Sequence, residues 1–231
     1  MLLLTFFFTV LSLSQCELNF NSLPSEVDWR DKGVVPPVTN QGAMGCSSNI
    51  VATEAIESSN AIRTGHLVSL STAEIASCCS ANCTLSGVAI FDCIAKRDGL
   101  CLESEYPRVT DRCESDRCKP FAIVTGGVPV PRGDEKALAE AVAKQPVVAA
   151  IDVTNAFMSY RDGVFVDQLC SQSKLNHMVL VVGYGTDNQG VEYWIVMNSW
   201  GKEWGMNGFV LMARNRDNMC GIASDASYPL C

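Results

Sequence analysis

Twelve cysteines among 231 residues constrain this chain more than any other feature of its sequence. Such a density is unusual in a cytosolic protein and typical of chains that fold in an oxidising compartment, where thiols pair as disulfides. Apolar residues make up 48% of the chain and charged residues 18%, which supplies a folded core and excludes disorder. The net charge of −8 gives no basic surface of the kind that binds nucleic acid, so no nucleic-acid partner is expected.

The N-terminal sequence also indicates that the chain enters an oxidising compartment. The first thirteen residues are almost wholly apolar, and small residues follow at Ser12, Ser14 and Cys16. This pattern predicts a signal peptide over residues 1–16. The run is shorter than the roughly 20 residues that a membrane span needs, and no later stretch is longer. We therefore expect a secreted or lysosomal chain without a membrane span, with its folded domain in residues 17–231. Cleavage after Cys16 would leave an odd number of cysteines.

Hydrophobic periodicity divides the chain into two halves. Residues 47–63 show helical spacing that Gly65 ends, and 71–94 and 133–144 are further helical stretches. After residue 146 the apolar runs become short and rich in β-branched side chains, separated by glycine-rich turns. These strands are predicted at 147–153, 178–182, 193–197 and 209–212. The pattern indicates an α+β fold with a helical lobe at about 30–130 and a β lobe at about 131–231.

Histidine is scarce, which narrows the search for a catalytic base. The chain has two, His66 and His177. His66 follows a predicted helix in a turn, where an exposed residue without a catalytic role is the usual case. His177 precedes a wholly apolar strand, and a single histidine at a strand edge is more often structural than catalytic. The segments around His177 favour the catalytic interpretation.

Five segments, in one order along the chain, resemble the papain family of cysteine peptidases, and cathepsin L most closely. They are residues 27–33 (Val-Asp-Trp-Arg-Asp-Lys-Gly), 40–42 (Asn-Gln-Gly), 176–185 around His177, 198–205 with Asn-Ser-Trp-Gly, and 220–229 near the C-terminus. In the family's order, the resemblance extends over about residues 23–231. The resemblance implies a papain-like two-lobed fold with an active-site cleft between the helical lobe and the β-sheet lobe.

The resemblance also implies roles for individual residues. In that family a cysteine thiolate at a helix N-terminus pairs with a histidine of the other lobe, and the helix dipole and the imidazolium lower the pKa of the thiol. Gln41 would be the oxyanion donor, His177 the acid and base, and Asn198 the residue that orients His177. Trp200 would shield the hydrogen bond between His177 and Asn198.

The nucleophile is where this chain departs from the family. Residues 41–48 are Gln-Gly-Ala-Met-Gly-Cys-Ser-Ser, and the position six residues after Gln41, where the family has its catalytic cysteine, holds Ser47. Glu57 lies ten residues after Ser47, as the family pattern requires. If the alignment with the family is shifted by one residue, Cys46 occupies this position instead. That alignment requires a deletion before the site and an insertion after it.

Other departures affect the cleft. Met44 occupies a family cysteine position, which leaves Cys83 without its usual partner and makes Cys46 a candidate for that role. Ser86 ends a segment in which the family has glycines that let a substrate backbone approach, so side chains there are expected to obstruct it. Met178 replaces a small residue beside the main specificity pocket. Both residues are therefore predicted to contact substrate.

The segment before the domain is short. About ten residues separate the predicted signal peptide from the Asp-Trp-Arg motif, where family members carry a long inhibitory pro-segment. No pro-segment is therefore expected, and an inactive homologue would need none. An incomplete gene model is the alternative explanation.

The resemblance implies two disulfides. Cys170 pairs with Cys220 in the β lobe, and Cys78 pairs with Cys113 or Cys118 in the helical lobe. Four further cysteines have no counterpart, and the sequence does not pair them: Cys79, Cys93, Cys101 and Cys231. Zinc binding is the alternative use of the cysteines, but the adjacent Cys78 and Cys79 and the signal peptide favour disulfides. We expect no metal and no cofactor.

Three functions remain open. The preferred one is a peptidase homologue of low or no activity whose cleft binds a peptide or protein, since Ser47 with His177 and Asn198 makes a weak hydrolytic trio. The second is a working endopeptidase that uses Cys46 or Ser47. The third is a silicatein-like scaffold or condensation role, because silicateins combine serine, histidine and asparagine in a papain fold; no serine cluster of the kind they carry stands out here. A monomer is expected in each case.

Overall fold

The structure is a computed structural model that describes residues 23–231 with the exception of 43–44, 80–82 and 84–85. The signal peptide predicted for residues 1–16 lies outside the described residues, and so does Met44. None of the helices in the described ranges is both long and apolar enough to cross a membrane.

The first four helices form in the stretches that periodicity predicts, and the short fifth helix lies in the half predicted as strands. They are α1 (Ser47–Thr64), α2 (Thr72–Cys78), α3 (Gly87–Ala95), α4 (Glu135–Val142) and the single turn α5 (Asn155–Met158). Gly65 ends α1 in a left-handed conformation, and its N–H donates to the carbonyl of Ala61, as expected for a C-terminal glycine. The hydroxyl of Ser71 begins α2 by accepting a hydrogen bond from the Glu74 N–H.

Eight strands form one sheet. The strands of the whole fold are β1 (Val27–Asp28), β2 (Gly99–Leu100), β3 (Ala122–Ile123), β4 (Gly126–Pro129), β5 (Val147–Ile151), β6 (Val164–Phe165), β7 (His177–Thr186), β8 (Glu192–Met197), β9 (Phe209–Ala213) and β10 (Ala226–Leu230). The sheet has the order β4-β10-β5-β7-β8-β9-β6, and β1 pairs with β7; β2 and β3 make a separate pair.

The central strand β7 is buried on both faces up to Gly185, which is possible because its residues 178–182 are wholly apolar. Met178, Leu180 and Val182 pack with the helical lobe, where they share a core with α1, α2 and α3. Val179 and Val181 point the other way into a second core with α4 and the neighbouring strands. The sheet thus joins the two lobes, and α1 lies against β7. This arrangement confirms an α+β fold with a helical lobe and a sheet lobe.

The boundary between the lobes differs from the one read from the sequence. Strands β1 and β4 belong to the large sheet although both precede residue 131, because β1 pairs with β7 and β4 pairs with β10. Both strands are short and contain no long apolar run, so the sequence pattern predicted no strand at either position.

Five disulfides hold the described chain together. Cys170 is bonded to Cys220 in the sheet lobe, and Cys78 to Cys113 in the helical lobe. The remaining bridges are Cys79–Cys93, Cys101–Cys118 and Cys46–Cys83, and among the described cysteines Cys231 is free. The adjacent cysteines Cys78 and Cys79, which favoured disulfides over zinc binding in the sequence, thus belong to two different bridges.

Candidate active site

Three chain segments meet at the junction of the lobes. Ser47 is the first residue of α1, His177 is the first residue of β7, and Asn198 directly follows β8. Strands β7 and β8 run antiparallel side by side, which brings the start of one next to the end of the other. Because α1 packs against β7, its N-terminus lies beside His177.

His177 and Asn198 form a buried hydrogen-bonded pair. Nε2 of His177 donates to Oδ1 of Asn198 over 2.8 Å, which leaves Nδ1 able to accept a proton. The indole ring of Trp200 lies against the imidazole with 5.0 Å between the ring centroids. Burial lowers the pKa of His177 below its ordinary value of 6.5, while the bond to Asn198 acts in the opposite direction. The imidazole is therefore neutral at neutral pH.

Ser47 contributes its hydroxyl group to the site. Its side chain is 9% exposed, and its Oγ accepts a hydrogen bond from the backbone N–H of Met178 at 3.3 Å. Within the described part of the chain, no hydrogen bond joins this hydroxyl to His177. The N-terminus of α1 adds a partial positive charge at Oγ, which favours a developing negative charge there.

Gln41 is held close to Asn198 by Ser199. The Ser199 hydroxyl donates to the Gln41 side-chain carbonyl, and the Ser199 N–H donates to Oδ1 of Asn198 at 2.8 Å. The Gln41 amide nitrogen, which would bind an oxyanion, instead donates to the carbonyl of Gly45 over 3.3 Å. In this state the donor is engaged within its own loop and must turn to meet a substrate.

Sequence reasoning gave Ser199 no role. The residue was visible only as the second member of the Asn-Ser-Trp-Gly motif, between two residues with assigned roles. Its contact with Gln41 depends on a short antiparallel bridge between Asn40 and Trp200, a pairing over 160 residues that no local pattern reveals.

Cys46 directly precedes Ser47 and is engaged in a disulfide. Its sulfur is bonded to Cys83, and it also lies 3.0 Å from the Ser48 hydroxyl. A disulfide sulfur has no thiolate to offer as a nucleophile. Cys46 thus takes the place that the family gives to a cysteine two residues earlier, the position of Met44 in this chain.

The two residues expected to contact substrate lie in different surroundings. Ser86 caps α3, where its hydroxyl accepts a hydrogen bond from the Ala89 N–H. The side chain of Met178 is completely buried in the core shared with the helical lobe. Alternation along β7 turns the Met178 side chain towards this core, and its backbone N–H donates to Ser47; contact of Ser86 and Met178 with a substrate stays a prediction.

The geometry can support acyl transfer in a limited form. It provides a hydroxyl at a helix N-terminus, a neutral imidazole within the same junction, and a carboxamide that orients this imidazole. It provides no carboxylate behind the histidine, since Asn198 occupies that place. Two lobes with a site of this kind at their junction define the papain-like class of peptidase folds.

The comparisons agree with this class. Residues 23–230 match the family described as papain family cysteine protease, and the chain belongs to that family. Bromelain of Ananas comosus, solved with the E64 inhibitor, superimposes with a TM-score of 0.83 at 36% identity, covering 90% of this chain and 99% of that one. Digestive procathepsin L 3 of Tenebrio molitor larval midgut gives a TM-score of 0.83 at 40% identity, covering 92% and 72%. The papain-like fold is therefore confirmed.

Curated relatives are similar over the same domain. Cysteine proteinase 3 of Dictyostelium discoideum is 43% identical over 216 residues, which cover 90% of this chain and 64% of the relative. The chain thus spans less than two thirds of the length of this relative. The cathepsin L-like peptidase of Aedes aegypti is 42% identical with the same coverage.

Proposed function

We propose that this chain is a cathepsin L-like homologue that binds a peptide or protein segment between its lobes and hydrolyses it weakly or not at all. The observation that carries the proposal is the placement of Ser47 and Cys46. Ser47 begins α1 beside His177, and the neighbouring sulfur is bonded to Cys83. Ser47 then stands at the nucleophile position, with Gln41, His177 and Asn198 as its partners.

Serine is a poor substitute in this setting for a physical reason. A thiol can rest as a thiolate paired with imidazolium, and an asparagine is sufficient to orient that pair. A hydroxyl stays protonated, so the histidine must take its proton in the transition state and then carries an uncompensated positive charge. Serine peptidases place an aspartate behind the histidine, and replacing it with asparagine costs about 10⁴ in rate.

The remaining machinery supports binding. His177, Asn198 and Trp200 keep the packed arrangement described above, and Ser199 links Gln41 to it. Five disulfides among the described cysteines support folding in an oxidising compartment, in agreement with a secreted or lysosomal protein. We propose a monomer with a peptide or protein ligand in its cleft.

The two histidines allow a direct test of peptide binding. In protein labelled with ¹³C at histidine Cε1, a dipeptidyl amide titrated into the cleft is expected to shift the signal of His177 and leave that of exposed His66 unchanged. A His66→Gln variant assigns the two signals. If neither signal moves at millimolar peptide, the proposal of a peptide-binding cleft is wrong and the partner must bind elsewhere.

Slow hydrolysis by Ser47 is the second candidate, and the lowered pKa of His177 favours it because a neutral imidazole can act as a base. Replacing Asn198 with aspartate is expected to raise this activity about tenfold to a hundredfold, since a carboxylate would stabilise the imidazolium. Nδ2 of Asn198 is buried without a hydrogen-bond partner, so an oxygen there breaks no existing bond. Hydrolysis of a fluorogenic dipeptidyl amide measures the change.

The matched control is the same substitution combined with Ser47→Ala. The gain should disappear in the double variant. A gain that persists without the Ser47 hydroxyl would show that another group is the nucleophile.

A further inference from the structure

A cavity of about 490 Å³ lies along α1, two turns beyond Ser47, between that helix and the segments 36–39 and 67–72. Its lining excludes Gln41, Ser47, His177 and Asn198. Three carboxyl groups reach it, from Glu54, Glu57 and Glu103, and the lining contains no lysine, arginine or histidine among the described residues. The described lining thus offers acidic groups to a ligand and no basic group that would compete for them.

Glu54 is the most unusual of the three. Its side chain is 4% exposed, and its Oε1 atom is buried without a hydrogen-bond partner. A buried polar atom without a partner destabilises the fold, so it marks a place where a ligand group would be a favourable partner. Glu57 differs because its Oε1 accepts the Leu70 N–H at 2.7 Å and is thereby satisfied.

The rest of the lining is apolar or hydroxylic. Pro36, Pro37 and Val38 form one wall, and Ile50, Leu67 and Val68 contribute to the others. Carboxylate oxygens of Glu54, Glu57 and Glu103 do not converge within 4.8 Å of one another, as the ligands of one metal ion would. The cavity volume also exceeds what a bare ion fills. An elongated ligand with one charged end suits this lining better than a metal.

We propose that this cavity binds an organic cation, a primary ammonium carried on a short aliphatic chain, with the ammonium group on Glu54 and the chain along the proline wall. The same chemistry is found in a free alkylamine and in a lysine side chain. Glu103, at the exposed rim, would attract the cation, and Glu54 would pair with it at the buried end. No part of the candidate active site is needed for this binding.

Binding by such a group should be linked to proton release. Burial raises the pKa of the Glu54 carboxyl well above its usual range, and the neighbouring Glu57 acts in the same direction while Thr39 opposes it. Burial therefore favours the protonated form of Glu54 over the carboxylate. Pairing with an ammonium requires the carboxylate, so a proton must leave and the affinity must rise with pH.

The test uses n-pentylamine, with n-pentanol as the uncharged ligand of equal length. Calorimetric titration of the whole protein should show saturable binding of the amine that tightens at least tenfold from pH 5.5 to 8, with proton release seen in buffers of different ionisation enthalpy. N-acetyl-lysine N-methylamide is the second arm: binding comparable to that of the amine means that peptide lysines can enter, and weaker binding restricts the cavity to free amines. Equal binding of n-pentanol, or no change with pH, would overturn the proposal.

Variants locate the site. Glu54→Gln should weaken amine binding at least tenfold, and Glu103→Gln about threefold. Glu105→Gln is the matched control, because Glu105 is exposed two residues from Glu103 and does not line the cavity. If Glu54→Gln does not fold, the affinity of the Glu103→Gln variant and the pH dependence of amine binding by the natural protein still test the proposal. Unchanged affinity in both Glu54→Gln and Glu103→Gln would contradict the assignment.

Discussion

Replacing Ser47 with cysteine is expected to raise hydrolysis of a fluorogenic dipeptidyl amide by about 10³-fold, or roughly 4 kcal/mol of transition-state stabilisation. The new thiol would lie at the N-terminus of α1 beside His177, where the helix dipole and an imidazolium lower its pKa and create a standing nucleophile. Asn198 and Trp200 already hold the histidine in the orientation that such a pair needs. The initial rates of both proteins measure the effect.

Two further variants keep this result interpretable. Ser47→Ala should match the natural protein closely, and His177→Ala should remove the gain when combined with Ser47→Cys. If Ser47→Cys stays inactive while it still binds the dipeptidyl amide, the serine is not what limits hydrolysis, and the arrangement of the cleft is at fault.

The free energy of unfolding is expected to fall as the pH rises from 5 to 8, by about 3 kcal/mol from Glu57 alone. Burial raises the pKa of Glu57 from 4.5 to about 7, although its bond from the Leu70 N–H opposes this. Between these values the folded state keeps a proton that the unfolded chain has lost. Stability is therefore full below pH 4.5 and is lost as the pH rises through 7, and Glu54 contributes in the same direction.

Denaturant titrations at several pH values measure this dependence. Glu57→Gln should flatten the curve, because the amide keeps an oxygen for the Leu70 N–H and cannot ionise. Glu105→Gln, an exposed carboxylate with the same change in charge, should leave the curve as it is. A Glu57→Gln curve as steep as that of the natural protein would contradict the role of this residue.

Much of the fold is predictable from local patterns. The spacing of apolar residues gave α1, and Gly65 fixed its end because a left-handed residue there costs glycine little. The apolar run after His177 predicted a strand at 178–182, and β7 contains it. The five motifs then predicted the family, because several separate motifs in the same order as in a known family indicate the same fold.

The parts that sequence reasoning missed depend on contacts over long distances. Strand β1 belongs to the sheet because it pairs with β7 about 155 residues later, which no window of sequence contains. The complete burial of Met178 likewise depends on the packing of β7 against the helical lobe, which the residue type alone does not reveal. In the sequence, Glu54 resembles an exposed residue of a helix. It is buried because other parts of the chain cover α1 on nearly all sides.

The most direct test of the central claim is the reaction of the natural protein with a thiol-selective peptidyl inhibitor, followed by intact mass and disulfide mapping, alongside its hydrolysis of the dipeptidyl amide. We predict no adduct in the cleft, a Cys46–Cys83 cross-linked peptide, and turnover no greater than that of Ser47→Ala. Turnover that the inhibitor abolishes, with an adduct on Cys46, would contradict the account and identify a working cysteine peptidase.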